Sequence, residues 1–283
     1  MLGSVSIGQI EKLDRVQQCM QAKDIVCAKQ AVDSAFLDPK TRQAYAGWYY
    51  RAFVYYELSK KDKYNIISSN RDTSIYSAIR SNNSKPAPEQ AWKDGNNNVI
   101  KKHSETYYNM CIKYLYDSLK YEKSSAAYLK YKTLYALIDS SFNFKAKDIE
   151  YYSAVGSHYA DLFNANTSKT EYSEVGKVAL MKVLDLDPKN ISASVNLGII
   201  YYNQGVNLIN SMDLDTPLDK LEIIQDNSAK LFKQSLPFMN RVYELDPKNV
   251  KALESLSRIY HALNDTQKAE EFNSKLEKAK QGN

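Results

Sequence analysis

The sequence predicts an all-α fold made of repeated helical hairpins. Glycine and proline are scarce, at 9 and 7 of 283 residues, which favours helices over turn-rich β architectures. Apolar residues recur at helical spacing along most of the chain. The phrase Asp-Pro-Lys occurs three times, at 38–40, 187–189 and 246–248, each time after a helical pattern. Because proline lacks an N–H and restricts the residue before it, the phrase marks the ends of repeats.

The N-terminal part predicts helices on both sides of the first such phrase. Residues 9–37 favour two helices, with the second one opening at Asp24. Beyond the phrase, a further helix is predicted in which Trp48, Ala52 and Tyr55 share one face, because they are separated by four and three positions.

Residues 59–103 interrupt this rhythm with polar, turn-forming residues, including the run Gly95-Asn96-Asn97-Asn98. We expect a polar insertion here that makes a mobile excursion and has no core of its own. Short helices around 73–80 and 89–93 are compatible with the pattern.

Helical periodicity returns after the insertion and continues to the end of the chain. Helices are predicted at the ranges 104–121, 124–140, 191–212, 221–245, 250–263 and 266–280, together with two helices that contain Tyr152–Tyr159 and Val175–Leu186. The polar stretch 212–219 separates two of them. Pro237 lies within a predicted helix and should kink it, because the bond to the carbonyl of Lys233 is lost.

Four segments share one internal frame, beginning at Tyr45, Ile149, Ile191 and Val250. Its eighth position is small or polar (Ala52, Gly156, Gly198, Ser257), and its eleventh is always tyrosine (Tyr55, Tyr159, Tyr201, Tyr260). This pattern resembles the tetratricopeptide repeat (TPR), a 34-residue helix-turn-helix unit. A small eighth residue lets the two helices of a hairpin approach. In this frame the twentieth position, on the second helix, is held by Cys27, Cys111, Gly176, Ser235 and Ala269.

The resemblance implies an α-solenoid of TPR-type hairpins wound into a right-handed superhelix. We expect one such array over residues 9–283, with the polar insertion at 59–103 and a C-terminal TPR block at 149–283. The long helices and inserted loops resemble TPR proteins of the bacterial envelope more than short consensus arrays.

In this family the first helices form a concave wall, so the resemblance implies a groove for a protein or peptide partner. Its candidate binding residues are aromatic towards the N-terminal end and charged towards the C-terminal end. They are Tyr49, Phe53, Tyr56, Val195, Ile199, Tyr202, Asn203, Lys251, Glu254 and Arg258. The alternative is that some of these side chains pack against a neighbouring repeat or against the insertion.

The sequence argues against several kinds of site. There is no Gly-rich phosphate loop, no H-E-x-x-H and no G-x-S-x-G, so we expect no enzyme activity and no cofactor. The three histidines are far apart and no C-x-x-C occurs, so we expect no metal site. The carboxylate clamp of some TPR proteins is mostly missing, because Ser153, Ser157 and Ser255 occupy three of its five positions.

The formal net charge is +5, but basic and acidic residues are interspersed, so we expect no nucleic-acid partner. Cys19 and Cys27 lie on neighbouring predicted helices. They are interpreted either as two small buried thiols or as a disulfide, which would require an oxidising compartment.

Residues 1–8 resemble the end of a signal peptide, with Ser6 and Gly8 at the small positions before a cleavage point. An ordinary flexible start is the alternative. No other stretch approaches 18 uninterrupted apolar residues, so no transmembrane segment is predicted.

Together these patterns predict a non-catalytic scaffold that binds a protein or peptide, in the bacterial periplasm or cell envelope. A cytoplasmic adaptor or chaperone-like TPR protein is the first alternative. A binder of glycans or other envelope components, using the groove aromatics, is the second. The sequence leaves the oligomeric state open.

Overall fold

The computed structural model describes residues 7–118, 120–213 and 215–281, and no strand occurs within these ranges. The helices are α1 (Ile7–Gln21), α2 (Ile25–Ala35), α3 (Pro39–Gln43), α4 (Tyr45–Ser59), α5 (Ser69–Asn82), α6 (Gln90–Ser118), α7 (Tyr121–Ala136), α8 (Lys145–Ala165), α9 (Thr170–Leu186), α10 (Ile191–Asn210), α11 (Leu218–Leu245), α12 (Val250–Ala262) and α13 (Thr266–Gln281). A short 3₁₀ turn, Lys60–Asp62, follows α4.

Successive helices pair into hairpins: α1 with α2, α4 with α5, α6 with α7, α8 with α9, α10 with α11 and α12 with α13. The predicted all-α fold of repeated helical hairpins is therefore confirmed for the described residues. The single array expected over 9–283 stays a prediction. The chain separates into two compact units, Met1–Phe142 (unit 1) and Asn143–Asn283 (unit 2).

The Asp-Pro-Lys-Asn phrase forms the same turn at 187–190 and at 246–249. In the copy at 246–249, Asp246 Oδ1 accepts from the backbone N–H of Lys248 at 3.3 Å, and Asp246 Oδ2 accepts from Asn249 Nδ2 at 3.0 Å. Asn249 Oδ1 then caps α12 by accepting from the N–H of Ala252 at 3.1 Å. The turn thus ends one hairpin and starts the next.

The copy at 38–40 lacks the asparagine and forms a different structure. Thr41 follows Lys40, and the short helix α3 begins at Pro39, with Asp38 Oδ1 capping it through the N–H of Lys40 at 2.9 Å. Proline at the first helical position is tolerated because its missing N–H would have no intrahelical partner there. The same three-residue phrase therefore ends α2 and opens a helix of its own.

The eighth position of the repeat lies against the second helix of its own hairpin. A Cβ on Gly198 would come within 2.5 Å of Met239 Cε and 2.9 Å of its Cγ, and one on Gly156 within 2.5 Å of Leu180 Cγ. Met239 and Leu180 are both buried. The small residue is required because these side chains occupy the space that a larger residue would fill.

In several hairpins, a serine hydroxyl of one helix donates a hydrogen bond to a backbone carbonyl of the paired helix. These bonds are Ser74 to Ala52 (2.7 Å), Ser124 to Cys111 (2.8 Å), Ser235 to Gly198 (2.7 Å) and Ser257 to Ala269 (3.0 Å). In the last hairpin the roles are exchanged, since the serine stands on the first helix. Two helices that approach this closely leave room for a hydroxyl and a hydrogen bond but for little more.

The stretch 59–103 departs from the predicted polar excursion. Residues 69–82 form α5, the second helix of the hairpin that α4 begins, and Ile75 and Ala78 on it are buried. Residues 90–103 are the first half of α6, where Val99 and Ile100 are buried. The prediction failed because polar residues on these helices are used for packing.

The asparagine run shows how this happens. Asn96 Nδ2 donates to Asn82 Oδ1 at 3.0 Å, and Asn82 Nδ2 donates to Asn97 Oδ1 at 3.0 Å, so side-chain amides join α5 to α6. These residues lie within a continuous helix and do not form a turn. As a consequence, α6 is the first helix of its hairpin, and Cys111 does not belong to a second helix as the repeat frame had placed it.

The two N-terminal cysteines form a disulfide between α1 and α2, with the Cα atoms of Cys19 and Cys27 5.6 Å apart. Of the two interpretations left open by the sequence, the structure contains the bonded one. Most of the signal-peptide pattern at 1–8 lies outside the described residues, which begin at Ile7. Within the described ranges, no helix is both long and apolar enough to cross a bilayer.

Candidate functional site

One of the predicted groove aromatics of unit 1, Tyr49, packs against Trp92, a residue of α6. The rings of Tyr49 and Trp92 have centroids 4.5 Å apart, and those of Tyr49 and Phe53 are 4.6 Å apart. Tyr49, Tyr50, Ala91 and Trp92 line a shallow cleft of about 230 Å³, which we call the aromatic cleft. Tyr49 therefore packs partly against the segment predicted to be an insertion, as the alternative interpretation had allowed.

Gly95 makes this arrangement possible. A Cβ at that position would stand 2.7 Å from the Tyr49 ring and from its hydroxyl. Without one, the tyrosine lies flat against α6. Burial raises the pKa of Tyr49. Burial is also the main reason that the pKa of Tyr50 is raised, followed by the neighbouring Tyr49 and Asp14. Both hydroxyls are therefore protonated at neutral pH.

Tyr56, the third predicted aromatic residue, lines a separate pocket of about 330 Å³. Its walls are Tyr56, Ser59, Lys60, Lys63, Arg71, His103 and Thr106, and we call it the basic pocket. The Lys60 ammonium lies 4.9 Å and the Lys102 ammonium 5.5 Å from the centre of the Tyr56 ring. Two ammonium groups thus lie close to the ring.

His103 lies at the base of this pocket and is 1% exposed. Its Nε2 is 2.9 Å from Ser74 Oγ, and Ser74 donates its single proton to the carbonyl of Ala52. The ring must therefore donate from Nε2, which fixes the neutral tautomer. Burial, followed by the nearby Arg71 guanidinium, lowers the pKa of His103 to about 3. The relay joins α4, α5 and α6.

In unit 2 the predicted residues of α10 differ in accessibility. Val195 is 6% exposed and packs with Val242 and Ala252, so it belongs to the core and offers no free surface. Ile199 is partly buried against the same residues. Asn203 Nδ2 donates to Asn164 Oδ1 at 2.7 Å, which ties α10 to α8.

Unit 2 contains a cleft of about 530 Å³ formed by α10, α12 and α13. Its lining residues are Tyr202, Ser257, Arg258, His261, Ala262, Thr266, Ala269, Glu270 and Asn273, and we call it the C-terminal cleft. It brings together two predicted residues, Tyr202 and Arg258. The other two on α12 differ: Glu254 pairs with Arg258 at 2.6 Å beside the cleft, and Lys251 is exposed outside its lining.

Several residues of these sites were missed from the sequence. Trp92, Arg71 and His103 all come from the stretch assigned to an insertion, and Glu270 and Asn273 come from a second helix. A helical period was present, since Trp92, Asn96, Val99, His103 and Tyr107 follow one another at three or four positions. The polar run within it concealed the signal.

In the described ranges no group of three or more His, Cys, Asp or Glu side chains could hold a metal ion. Asp213 of the polar stretch 212–219 instead accepts hydrogen bonds from the N–H of Asp215 and the hydroxyl of Thr216, at 3.1 and 2.9 Å, which closes a turn before α11.

No known family model matches the sequence, and no curated protein matches it. Among solved structures, the chain is similar to the MamA protein, with 14% identity, a TM-score of 0.35, and 82% of this chain and 92% of that chain covered. It is also similar to PilW, described as a type IV pilus biogenesis factor (17% identity, TM-score 0.35, 96% and 93% covered). The TPR domain of P58(IPK) gives 11% identity and a TM-score of 0.25, with 97% and 98% covered. Superpositions this loose carry no conclusion about what the chain binds.

Proposed function

We propose that this protein is a non-catalytic scaffold that binds a segment of another protein in the C-terminal cleft. The observation that supports this proposal is the cleft itself. Its volume of about 530 Å³ is in the usual range for ligand sites, roughly 300–1,000 Å³. It combines an aromatic face from Tyr202 with the charged Arg258 and Glu270 and the amide of Asn273. This mixture suits a peptide, which offers apolar side chains and backbone hydrogen-bonding groups together.

The aromatic cleft of unit 1 is the second contact surface in this proposal. Trp92, Tyr49 and Tyr50 supply rigid rings with polar tips, a combination that is enriched at protein interfaces. Phe53 supports Tyr49 from the same helix. The aromatic composition also supports the alternative that this cleft binds a glycan, which would stack on the rings.

A random peptide display selection on the whole protein tests the peptide proposal. Selected peptides should bind the Tyr202→Ala and Arg258→Ala variants about tenfold more weakly or worse, as expected for loss of a contact of at least about 1.4 kcal/mol. Arg241→Ala is the matched control, because Arg241 also forms an exposed ion pair, with Glu244 at 3.4 Å, but lies outside the cleft. Equal binding by all four proteins would refute the assignment of the cleft. If Trp92→Ala instead abolished binding on a glycan array, the glycan alternative would be favoured.

We also propose that the protein works in the periplasm or cell envelope, with the cytoplasm as the alternative. The support is the Cys19–Cys27 disulfide, because such bonds persist mainly in oxidising compartments. Alkylation of the protein in freshly lysed source cells, followed by mass spectrometry, should leave Cys19 and Cys27 unmodified until a reductant is added. Full alkylation without reductant would favour the cytoplasmic alternative.

A further inference from the structure

Arg71 is a fully buried cation that no described acidic side chain neutralises. Its side chain is 1% exposed, and the ion pairs of the described residues do not include it. Nη1 donates to the carbonyl of Asn65 at 2.6 Å and Nη2 donates to the carbonyl of Asp62 at 2.7 Å. The guanidinium also lies 5.2 Å from the centre of the Tyr107 ring. A buried ionised group normally requires a counter-charge, so this environment is incomplete.

One donor of Arg71 has no hydrogen-bond partner among the described residues. Nε is buried and unpaired, whereas both Nη atoms are used by the loop that follows the 3₁₀ turn. A buried donor left without a partner loses its bond to water and gains nothing in return. Since Arg71 lines the basic pocket, a ligand that enters the pocket would meet this buried guanidinium group.

The rest of the pocket is also positive. Lys60 and Lys63 stand at its exposed side, and Lys102 is near Tyr56. Glu57 pairs with Lys60 at 2.6 Å, and the carboxylate of Asp62 accepts hydrogen bonds from Ser68 and Asn70. His103 contributes no negative charge in either protonation state.

We propose that the basic pocket binds a small oxyanion, a carboxylate or a phosphate group, with Arg71 as the buried anchor and Lys60 and Lys63 at the entrance. A volume of about 330 Å³ admits a small organic acid or a phosphate with its waters. Charge-assisted hydrogen bonds from a guanidinium and two ammonium groups are the strongest available to such a ligand. The site lies wholly within unit 1 and does not depend on peptide binding in the C-terminal cleft.

The first test is a titration of the whole protein with inorganic phosphate and, separately, with acetate, each against sodium chloride of equal ionic strength. The wild type should show saturable stabilisation by at least one oxyanion, because a ligand that binds only the folded state raises Tm. The two arms decide whether phosphate or carboxylate is preferred. The Lys60→Met/Lys63→Met variant should bind at least about tenfold more weakly, since it removes both ammonium groups at the entrance. Lys61→Met is the matched control, because Lys61 is exposed in the same turn but does not line the pocket.

A second measurement examines Arg71 in the wild-type protein. It needs no Arg71 variant, which could fail to fold. In a ¹⁵N NMR spectrum of the arginine side chains, the Arg71 Nε–H signal should shift on addition of the oxyanion and saturate with the same affinity. An unmoved Arg71 signal, or equal binding by the Lys60→Met/Lys63→Met and wild-type proteins, would overturn the proposal. Arg71 would then serve only to hold the 62–65 loop.

Discussion

The relay His103–Ser74–Ala52 shows how single residues hold three helices of unit 1 together. Each hydrogen bond joins a different pair of helices, and every partner is buried. In such a place a lost partner is costly, because the remaining group cannot turn to water. Two predictions concern this relay.

The first prediction concerns pH. The folded-state pKa of His103 is about 3, whereas an unfolded histidine has a pKa of about 6.5. Below about pH 6.5 the unfolded chain therefore takes up a proton that the folded chain refuses, and the free energy of unfolding falls as pH drops. The free energy of unfolding falls by up to about 1.4 kcal/mol per pH unit, and this decrease levels off near pH 3.

Urea unfolding between pH 7 and pH 4 measures this slope. The His103→Gln variant, which retains a side-chain N–H donor, should lose less stability over this range than the wild type. The ring signals of His103 in NMR spectra should also stay constant over the same range. A normal titration near pH 6.5, or identical slopes for both proteins, would contradict the buried neutral ring.

The second prediction is that Ser74→Ala destabilises the protein by about 1–3 kcal/mol, because it leaves His103 Nε2 and the carbonyl of Ala52 without their shared partner. The control is Ser77→Ala on the same helix. Ser77 is equally buried but bonds only to the carbonyl of Thr73 in the preceding turn, at 2.7 Å. Its loss should cost about 1 kcal/mol or less. Thermal unfolding of the two variants gives the comparison, and equal costs would mean that the relay between helices adds nothing.

At the scale of the helices, the small residue at position 8 correctly predicted where the two helices of a hairpin come into close contact. We call this contact the hairpin seam. Gly198 and Gly156 each meet a buried side chain of the paired helix at about 2.5 Å from where a Cβ would stand. The tyrosine at position 11 packs within its own hairpin: the rings of Tyr260 and Phe272 are stacked, with centroids 5.6 Å apart. Spacing alone was sufficient for position 8, because that rule describes contact between the two helices of one hairpin.

The third prediction tests this seam. Gly198→Leu should destabilise unit 2 by about 3 kcal/mol, the upper part of the range for overpacked cores, because Met239 cannot move away from both its Cγ and its Cε contacts. Ser192→Leu, at an exposed position of the same helix, should change stability by less than about 0.5 kcal/mol. Differential scanning calorimetry of both variants would show the difference in Tm. An unchanged Tm for Gly198→Leu would mean that α10 and α11 do not pack in this way.

For the whole molecule, the C-terminal half was predicted more accurately than the N-terminal half, for a physical reason. Unit 2 builds its hairpins from apolar seams such as Leu197, Leu253 and Leu256, which are fully buried and follow helical periodicity. Unit 1 builds its middle hairpins partly from polar side chains, including Asn96, Ser74 and the buried Arg71. Hydrophobic periodicity does not detect polar packing, so 59–103 was taken for an insertion.

The candidate sites follow the same division. Tyr202 and Arg258 were identified from the repeat frame and share one cleft. Val195 occupies another predicted wall position but is buried, because the neighbouring α12 covers it with Ala252. Which wall positions are free depends on how closely the next hairpin packs, and this is a tertiary property that one repeat cannot show.

Hydrogen–deuterium exchange with a display-selected peptide tests the central claim, peptide binding in the C-terminal cleft, most directly. Saturation with peptide should slow exchange in α12 and α13 around Arg258 and Asn273, and in α10 around Tyr202, while α11 stays unchanged. Protection confined to other helices, or no protection at saturating peptide, would contradict the claim that the C-terminal cleft is the binding site.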